Sequence, residues 1–169
     1  MPDATPRSPV RHATPDDVPE IVAMIHELAE YEKLAHACRA SADDLRQHLF
    51  PTPPARAYCE ALIAEHAGQP VGFALFFHNY STFLTRPGIY LEDLYVRPAF
   101  RGRGLGKALL IAVARLAVHR GCGRVEWSVL DWNAPSIAFY TSLGAVAMDD
   151  WTTYRLTGDA LARLGQSTP

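Results

Sequence analysis

Apolar residues along the chain alternate between two spacings, and the switches between them outline the fold. Val18, Ile21, Val22, Ile25, Leu28 and Ala29 recur at the three- and four-residue spacing of a helix face, which predicts a helix over 14–33. Its start is marked by Thr14-Pro15-Asp16-Asp17: a capping Thr, a Pro in the first turn, and an acid three residues on. Ser41-Ala42-Asp43-Asp44 repeats that pattern before a shorter helix ending near residue 49. Two apolar, partly aromatic runs, 58–66 and 70–80, are separated by Ala67-Gly68-Gln69 and predict a strand hairpin. Val10 to His12 and residues 89–96 read as further strands. Leu105, Leu109, Ala112, Val113, Leu116 and Ala117 then share one face of a helix over 104–120, stopped by Gly121. A strand over 124–130, a helix over 135–143 stopped by Gly144, and a last strand over 151–156 follow. The order β-α-α-β-β-β-α-β-α-β predicts a mixed α/β sheet flanked by helices.

Residues 1–8 and 165–169 hold little to bury and read as tails around one domain over 9–164. The Pro-dense segment 50–54 is too short for a linker and is expected to be a surface loop. With 169 residues, 49% hydrophobic and 20% charged, the chain can bury a core without staples. Sixteen basic against 18 acidic residues leave −2, too little positive charge for a protein held to nucleic acid through phosphates. No apolar run reaches the length of a membrane span. The three cysteines, Cys38, Cys59 and Cys122, form no CxxC pair, and residues 1–9 carry no apolar run, so a reducing cytoplasm is expected.

The chemistry starts at Arg101-Gly102-Arg103-Gly104-Leu105-Gly106-Lys107, between a strand and a helix. Glycines let backbone approach a ligand, amides at a helix start attract anions, and three cations add charge, so the expected ligand is a phosphate or diphosphate. A P-loop would need Gly at Arg101 and Ser or Thr at Ala108. A dinucleotide fingerprint would need a different glycine spacing. The remaining pattern is R-x-x-G-x-G.

Downstream stand Asn133-Ala134-Pro135-Ser136-Ile137-Ala138-Phe139-Tyr140 and Leu143-Gly144-Ala145. Together these motifs resemble the GNAT superfamily, the Gcn5-related N-acetyltransferases, over nearly the whole chain. Glu27-Leu28-Ala29-Glu30-Tyr31-Glu32-Lys33, Tyr80-Ser81-Thr82, Tyr90-Leu91-Glu92-Asp93-Leu94-Tyr95-Val96 and Leu130-Asp131-Trp132-Asn133 resemble the spermidine/spermine N-acetyltransferase family. The Tyr-Ser-Thr and Leu-Asp-Trp-Asn versions are more like its thialysine-acetylating branch than the branch acting on spermidine.

The resemblance implies a GNAT fold with a mixed, mostly antiparallel central sheet. It also implies an N-acetyltransferase carrying acetyl from acetyl-CoA to a primary amine of a small cation by direct attack in a ternary complex. It places a catalytic glutamate at Glu92 and a general acid at Tyr140. An alkylammonium, pKa ~10.4, must lose a proton before attack. Glu92, expected to be partly desolvated in an apolar strand, can act as the base or simply hold the cation. Tyr140 can protonate the departing thiolate or pack beside Phe139.

The resemblance puts the cofactor along Leu94, Tyr95 and Val96, at Arg101, Gly102, Arg103, Gly104, Leu105, Gly106 and Lys107, and at Asn133, Pro135, Ser136 and Tyr140. Backbone amides where the Glu92-to-Val96 strand parts from its neighbour would bind the thioester oxygen and the pantetheine arm. Tyr31, Glu32, Glu92 and Asp93 would receive the amine. The loop at 145–150 is shorter than in the spermidine enzymes, so Asp149 and Asp150 are not carried over. The family also implies a homodimer with the strand near Tyr154 at the interface; the near-neutral charge, the lack of a long apolar run and the scattered histidines leave no nucleic acid, membrane or metal expected as partner.

Rival readings are an acetyltransferase of protein N-termini or lysines, and a non-catalytic acyl-CoA sensor. Among features set aside, His26-Glu27-Leu28-Ala29-Glu30 lacks the second His of a zinc motif, and Cys122 has no adjacent base.

Overall fold

The computed structural model describes residues 8–167. The chain divides after Ser128 into two compact units. The first carries a five-stranded sheet in the order β1-β2-β3-β4-β5: β1 Val10–His12, β2 Glu60–His66, β3 Gln69–Ser81, β4 Arg86–Val96 and β5 Val125–Glu126. The first four pair antiparallel in sequence order and β5 pairs parallel to β4. Helices α1 (Val18–Tyr31), α2 (Ala42–Leu49) and α3 (Leu105–His119) belong to the same unit. The second unit carries α4 (Ala134–Ser142) and α5 (Gly158–Gly165).

Ala61, Leu62, Ile63 and Ala64 in β2 are all buried, as are residues 71–76 of β3. Successive side chains point to opposite faces, so this sheet is covered on both. On one face Ala61, Ile63, Phe73, Leu75 and Tyr95 pack against Val18, Ile21 and Met24 of α1 and Leu49 of α2. Helix α3 lies against β2, β3 and β4 and buries Leu105, Leu109, Leu110, Val113 and Ala117.

The expected start of α1 is realised with a refinement. Residues Pro15–Asp17 form one 3-10 turn before Val18. Asp17 accepts from the Thr14 amide at 2.7 Å and the Thr14 hydroxyl at 2.8 Å. Arg11 donates to both Asp17 oxygens, at 2.7 and 2.8 Å, and to Glu65 at 2.7 Å, which ties β1 and β2 to the head of α1. The Arg11 guanidinium holds the Asp17 carboxyl at about 2, well below its ordinary value.

Three expectations change. The strand expected over 124–130 is reduced to Val125–Glu126, paired only at Ile89↔Val125 and Tyr90↔Glu126. The strand expected over 151–156 is irregular chain, and α5 follows it instead. Trp151, Thr152, Thr153 and Tyr154 have strand character, but a strand exists only where backbone pairs with backbone. Trp151 and Tyr154 are exposed, at 72% and 91%. Helix α5 reaches Gly165, so the expected C-terminal tail begins later. Residues 1–7 of the expected N-terminal tail, and 168–169 at the other end, lie outside the described residues.

Candidate active site

The site begins with a count along β4. Phe76 of β3 faces Leu91 and the adjacent Leu75 faces Asp93, so Glu92 stands opposite no residue of β3. One extra residue on one strand is a β-bulge, and it reverses which edge each later amide faces. The hydrogen bonds show the reversal. Ile89 N–H donates to Arg124 O at 3.1 Å, on the β5 side, whereas Arg97 N–H donates to Val71 O at 2.9 Å, on the β3 side. Residues eight apart would face the same edge of a regular strand. Beyond the bulge, alternation turns the Leu94 and Val96 amides away from β3. On that edge, among the described residues, no strand pairs with 91–96. The parting from β5 expected on resemblance is seen in the absence of pairing beyond Tyr90, and the extra residue Glu92 sets which amides face that open edge.

The bulge also separates the two acids. Glu92 is exposed, contrary to the expected partial desolvation, and Asp93 is the partly buried one. Burial first, then repulsion from Glu92 and Glu32, pushes the Asp93 carboxyl up to about 7. Glu32 follows the last residue of α1 as its C-cap, and burial raises its carboxyl too. Glu32, just past the end of α1, is thus near enough to Asp93 on β4 for its charge to act on that carboxyl, and Tyr31 directly precedes Glu32.

A stability consequence follows for Asp93. Between its ordinary value near 3.8 and about 7, the folded chain holds a proton that the unfolded chain has lost. Stability from this group therefore falls as pH rises through that window. Asp93→Asn is expected to stabilise the protein on the order of 2 kcal/mol at pH 8 and far less at pH 4. Thermal melts of both proteins at the two pH values check this; an equal difference at both would show that Asp93 titrates normally.

Past β4, residues Pro98–Phe100 make a 3-10 turn and the chain enters the glycine loop. Gly102 and Gly104 have φ of 73° and 79°, a region that side chains disfavour. Gly104 is the N-cap of α3, no side chain caps that helix, and its first turn holds no acid. The amides of that turn and the positive end of the helix dipole form a cradle for an anion. Gly106 differs: a Cβ there would come no closer than 3.9 Å to Val96, so neither space nor conformation of the chain requires glycine. Leu105 is buried and anchors the turn, while Lys107 is exposed. Arg103 lies over the Phe100 ring at 5.6 Å and meets His66 Nε2 at 3.2 Å. Arg101 donates from Nε to Val96 O at 2.8 Å and lies over the rings of Tyr31 at 5.0 Å and Tyr95 at 5.6 Å.

A brace that sequence reasoning missed lies beneath. Tyr95 donates its hydroxyl to Glu27 at 3.1 Å. Arg97 donates to Glu27 at 3.0 Å, to Glu20 at 2.9 Å and to Pro70 O at 3.2 Å. Glu20 and Glu27 are two helical turns apart on one face of α1, the signal that could have flagged them.

In the second unit, Asn133 is buried as the N-cap of α4 and its Oδ1 accepts from the Ser136 amide at 3.4 Å. Pro135 sits in the first turn, the position the missing N–H suits. Tyr140 is half-buried with its ring 5.2 Å from Phe139. Among the described residues no cluster of three His, Cys, Asp or Glu can hold a metal, and no helix is long and apolar enough to cross a membrane.

Among the described residues the sheet thus leaves an unpaired edge of β4, and a glycine loop at a helix start follows it in the chain. The chain belongs to the acetyltransferase (GNAT) family, whose model matches residues 22–145, and it is an N-acetyltransferase. It is 37% identical over 196 residues to L-ornithine N5-acetyltransferase of Arabidopsis thaliana, covering 91% of this chain and 86% of that protein. It is 36% identical over 166 residues to thialysine N-epsilon-acetyltransferase of Mus musculus, covering 92% and 95%. In fold it matches an integron cassette protein from the mobile metagenome of V. cholerae, with a TM-score of 0.76 over 94% of this chain and 97% of that one, at 24% identity.

Proposed function

We propose that the protein transfers acetyl from acetyl-CoA to the primary amine of a small cationic amino acid, such as thialysine, lysine or ornithine, or of a diamine or polyamine. The observation that carries this reading is the bulge at Glu92. One extra residue turns the Leu94 and Val96 amides toward the edge that β5 leaves unpaired, on the stretch of chain that joins the acids Glu92 and Asp93 to the glycine loop. The names of the two relatives, each covering about nine-tenths of this chain, support the amino-acid side of that choice.

The parts fit such a donor. The cradle of Gly102, Arg103, Gly104, Leu105, Gly106 and Lys107 suits a diphosphate, with Gly106 kept small for its approach. The outward amides of Leu94 and Val96 pair the pantetheine arm beside Tyr95 and stabilise negative charge on the thioester oxygen. Asn133, Pro135 and Ser136 shape the start of α4 and serve the same cofactor. Glu32 and Asp93 hold the cation near Tyr31. The amine gives up a proton to Glu92, directly or through water, and attacks the thioester carbon. Tyr140 protonates the thiolate that departs.

In this reading residues 9–164 act as one domain, since the family model runs across the division after Ser128. The protein works in the cytoplasm as a homodimer. The exposed, unpaired segment around Trp151 and Tyr154 supports a second subunit there.

The test is acetyl-CoA turnover against thialysine, L-ornithine, L-lysine, putrescine, spermidine and a peptide N-terminus, read as free thiol. The highest kcat/KM is expected with one of the three amino acids. Turnover of the peptide alone, or of nothing, overturns the proposal.

A further inference from the structure

Arg101 opens the anion loop, yet its contacts lie on β4 and α1. Its Nε donates to the Val96 carbonyl at 2.8 Å, and its guanidinium lies 5.0 Å from the Tyr31 ring centre and 5.6 Å from that of Tyr95. A planar guanidinium suits this arrangement, because it can stack on an aromatic face while one N–H is committed in the plane. Each partner is itself placed. Val96 ends β4, on the stretch whose register the bulge set. Tyr95 is held through its hydroxyl by Glu27, which Arg97 grips. Tyr31 is the last residue of α1, and Glu32 comes next. Glu32 is close enough to Asp93 for its charge to be felt there. Arg101 thus links the head of the loop, the end of β4 and the last turn of α1.

We propose that Arg101 is a positioning residue for the amine end of the site: acting through Tyr31, it fixes the last turn of α1 so that Glu32 stands beside Asp93. The inference rests on the assignment of Glu32 and Asp93 to the amine made above. It separates Arg101 from Arg103, whose contacts are with Phe100 and His66, and from Lys107; both are assigned above to the anion.

The experiment is steady-state kinetics with thialysine as the amine, varying each substrate in turn. Arg101→Gln is expected to raise the amine KM about 5- to 20-fold, a larger factor than its effect on the acetyl-CoA KM. Arg101→Lys keeps a cation over the ring but loses the Nε donor, and recovers part of the amine KM. Tyr31→Leu removes the aromatic face and reproduces the Arg101→Gln effect. The double variant Arg101→Gln/Tyr31→Leu is expected to add no more than about twofold, because both changes break one contact.

An unchanged amine KM with a raised acetyl-CoA KM in Arg101→Gln makes Arg101 a diphosphate ligand and overturns the proposal. So do fully additive effects in the double variant. If Arg101→Gln shows no folding transition on heating, Tyr31→Leu decides alone, and an unchanged amine KM overturns it. Wild-type turnover separates the two levels. No turnover of any amine sinks the function proposed above and this inference with it, whereas normal turnover with insensitive KM values sinks only the inference.

Discussion

Glu92→Gln is expected to lower kcat/KM for the amine by about 10²- to 10³-fold, the range of a lost general base. The chain spends an irregularity of β4 on this residue: Glu92 is the one position there with no partner on β3. Its side chain is exposed, so it reaches solvent, a bound water or a docked amine without the cost of burying a charge. Two roles remain to be separated, and kinetics separate them. A glutamate that only holds the cation would, when replaced, raise amine KM and leave kcat near its normal value. A base would, when replaced, lower kcat, and the residual rate would track the fraction of neutral amine. That fraction grows about tenfold per pH unit below the amine pKa of ~10.4. A pH profile of kcat for Glu92→Gln from pH 6.5 to 9.5 checks this. A slope matching wild type at undiminished kcat would remove Glu92 from the proton's path.

Tyr140→Phe is the second large effect, an expected fall in kcat of about 10- to 100-fold with acetyl-CoA KM within about threefold. The substitution removes one oxygen from a half-buried ring that packs on Phe139 and leaves that packing in place. Its effect falls on the leaving group. A thiol titrates near ~8.5, so a departing thiolate needs a proton below that pH and progressively less above it. The deficit of Tyr140→Phe should therefore narrow as pH rises past ~8.5. Single-turnover rates at pH 7 and 9.5 test this, and a deficit unchanged between them, or no deficit at all, would sink the acid role. Glu92→Gln and Tyr140→Phe are expected to depend on pH through different groups, one on the amine and one on the thiol.

Much of this site is legible in the sequence, because much of it is local. The N-cap at Ser41 accepts from the amide three residues on, as its spacing predicts. Gly102 and Gly104 take the left-handed backbone that a turn into a helix requires, and the helix begins at Leu105. The helical face from Leu105 to Ala117 and the hairpin around Gly68 are periodicity and turn chemistry written into neighbouring residues. Recognition of the family motifs added the roles of Glu92 and Tyr140, which local rules alone do not assign.

What lay out of reach depends on residues far apart in the chain. Glu92 and Asp93 are adjacent acids in one apolar run, and the expectation of a desolvated Glu92 went to the wrong one. The register of β3 against β4 decided that Glu92 faces water and that Asp93 is the carboxyl raised by burial, by Glu92 beside it and by Glu32 some sixty residues away. Arg101 read as one of three loop cations, and only the arrival of Tyr31 and Tyr95 distinguished it. The run at 151–156 has strand composition and forms no strand, because pairing is a property of two segments and composition of one. By itself the sequence determined helices α1 to α4, the hairpin, the anion loop and the family, all of which rest on contacts within a few residues. The tertiary structure alone decided which amides face the open edge, which acid loses its water and which arginine leaves the loop, since each depends on a strand register or a packing contact that no local pattern encodes.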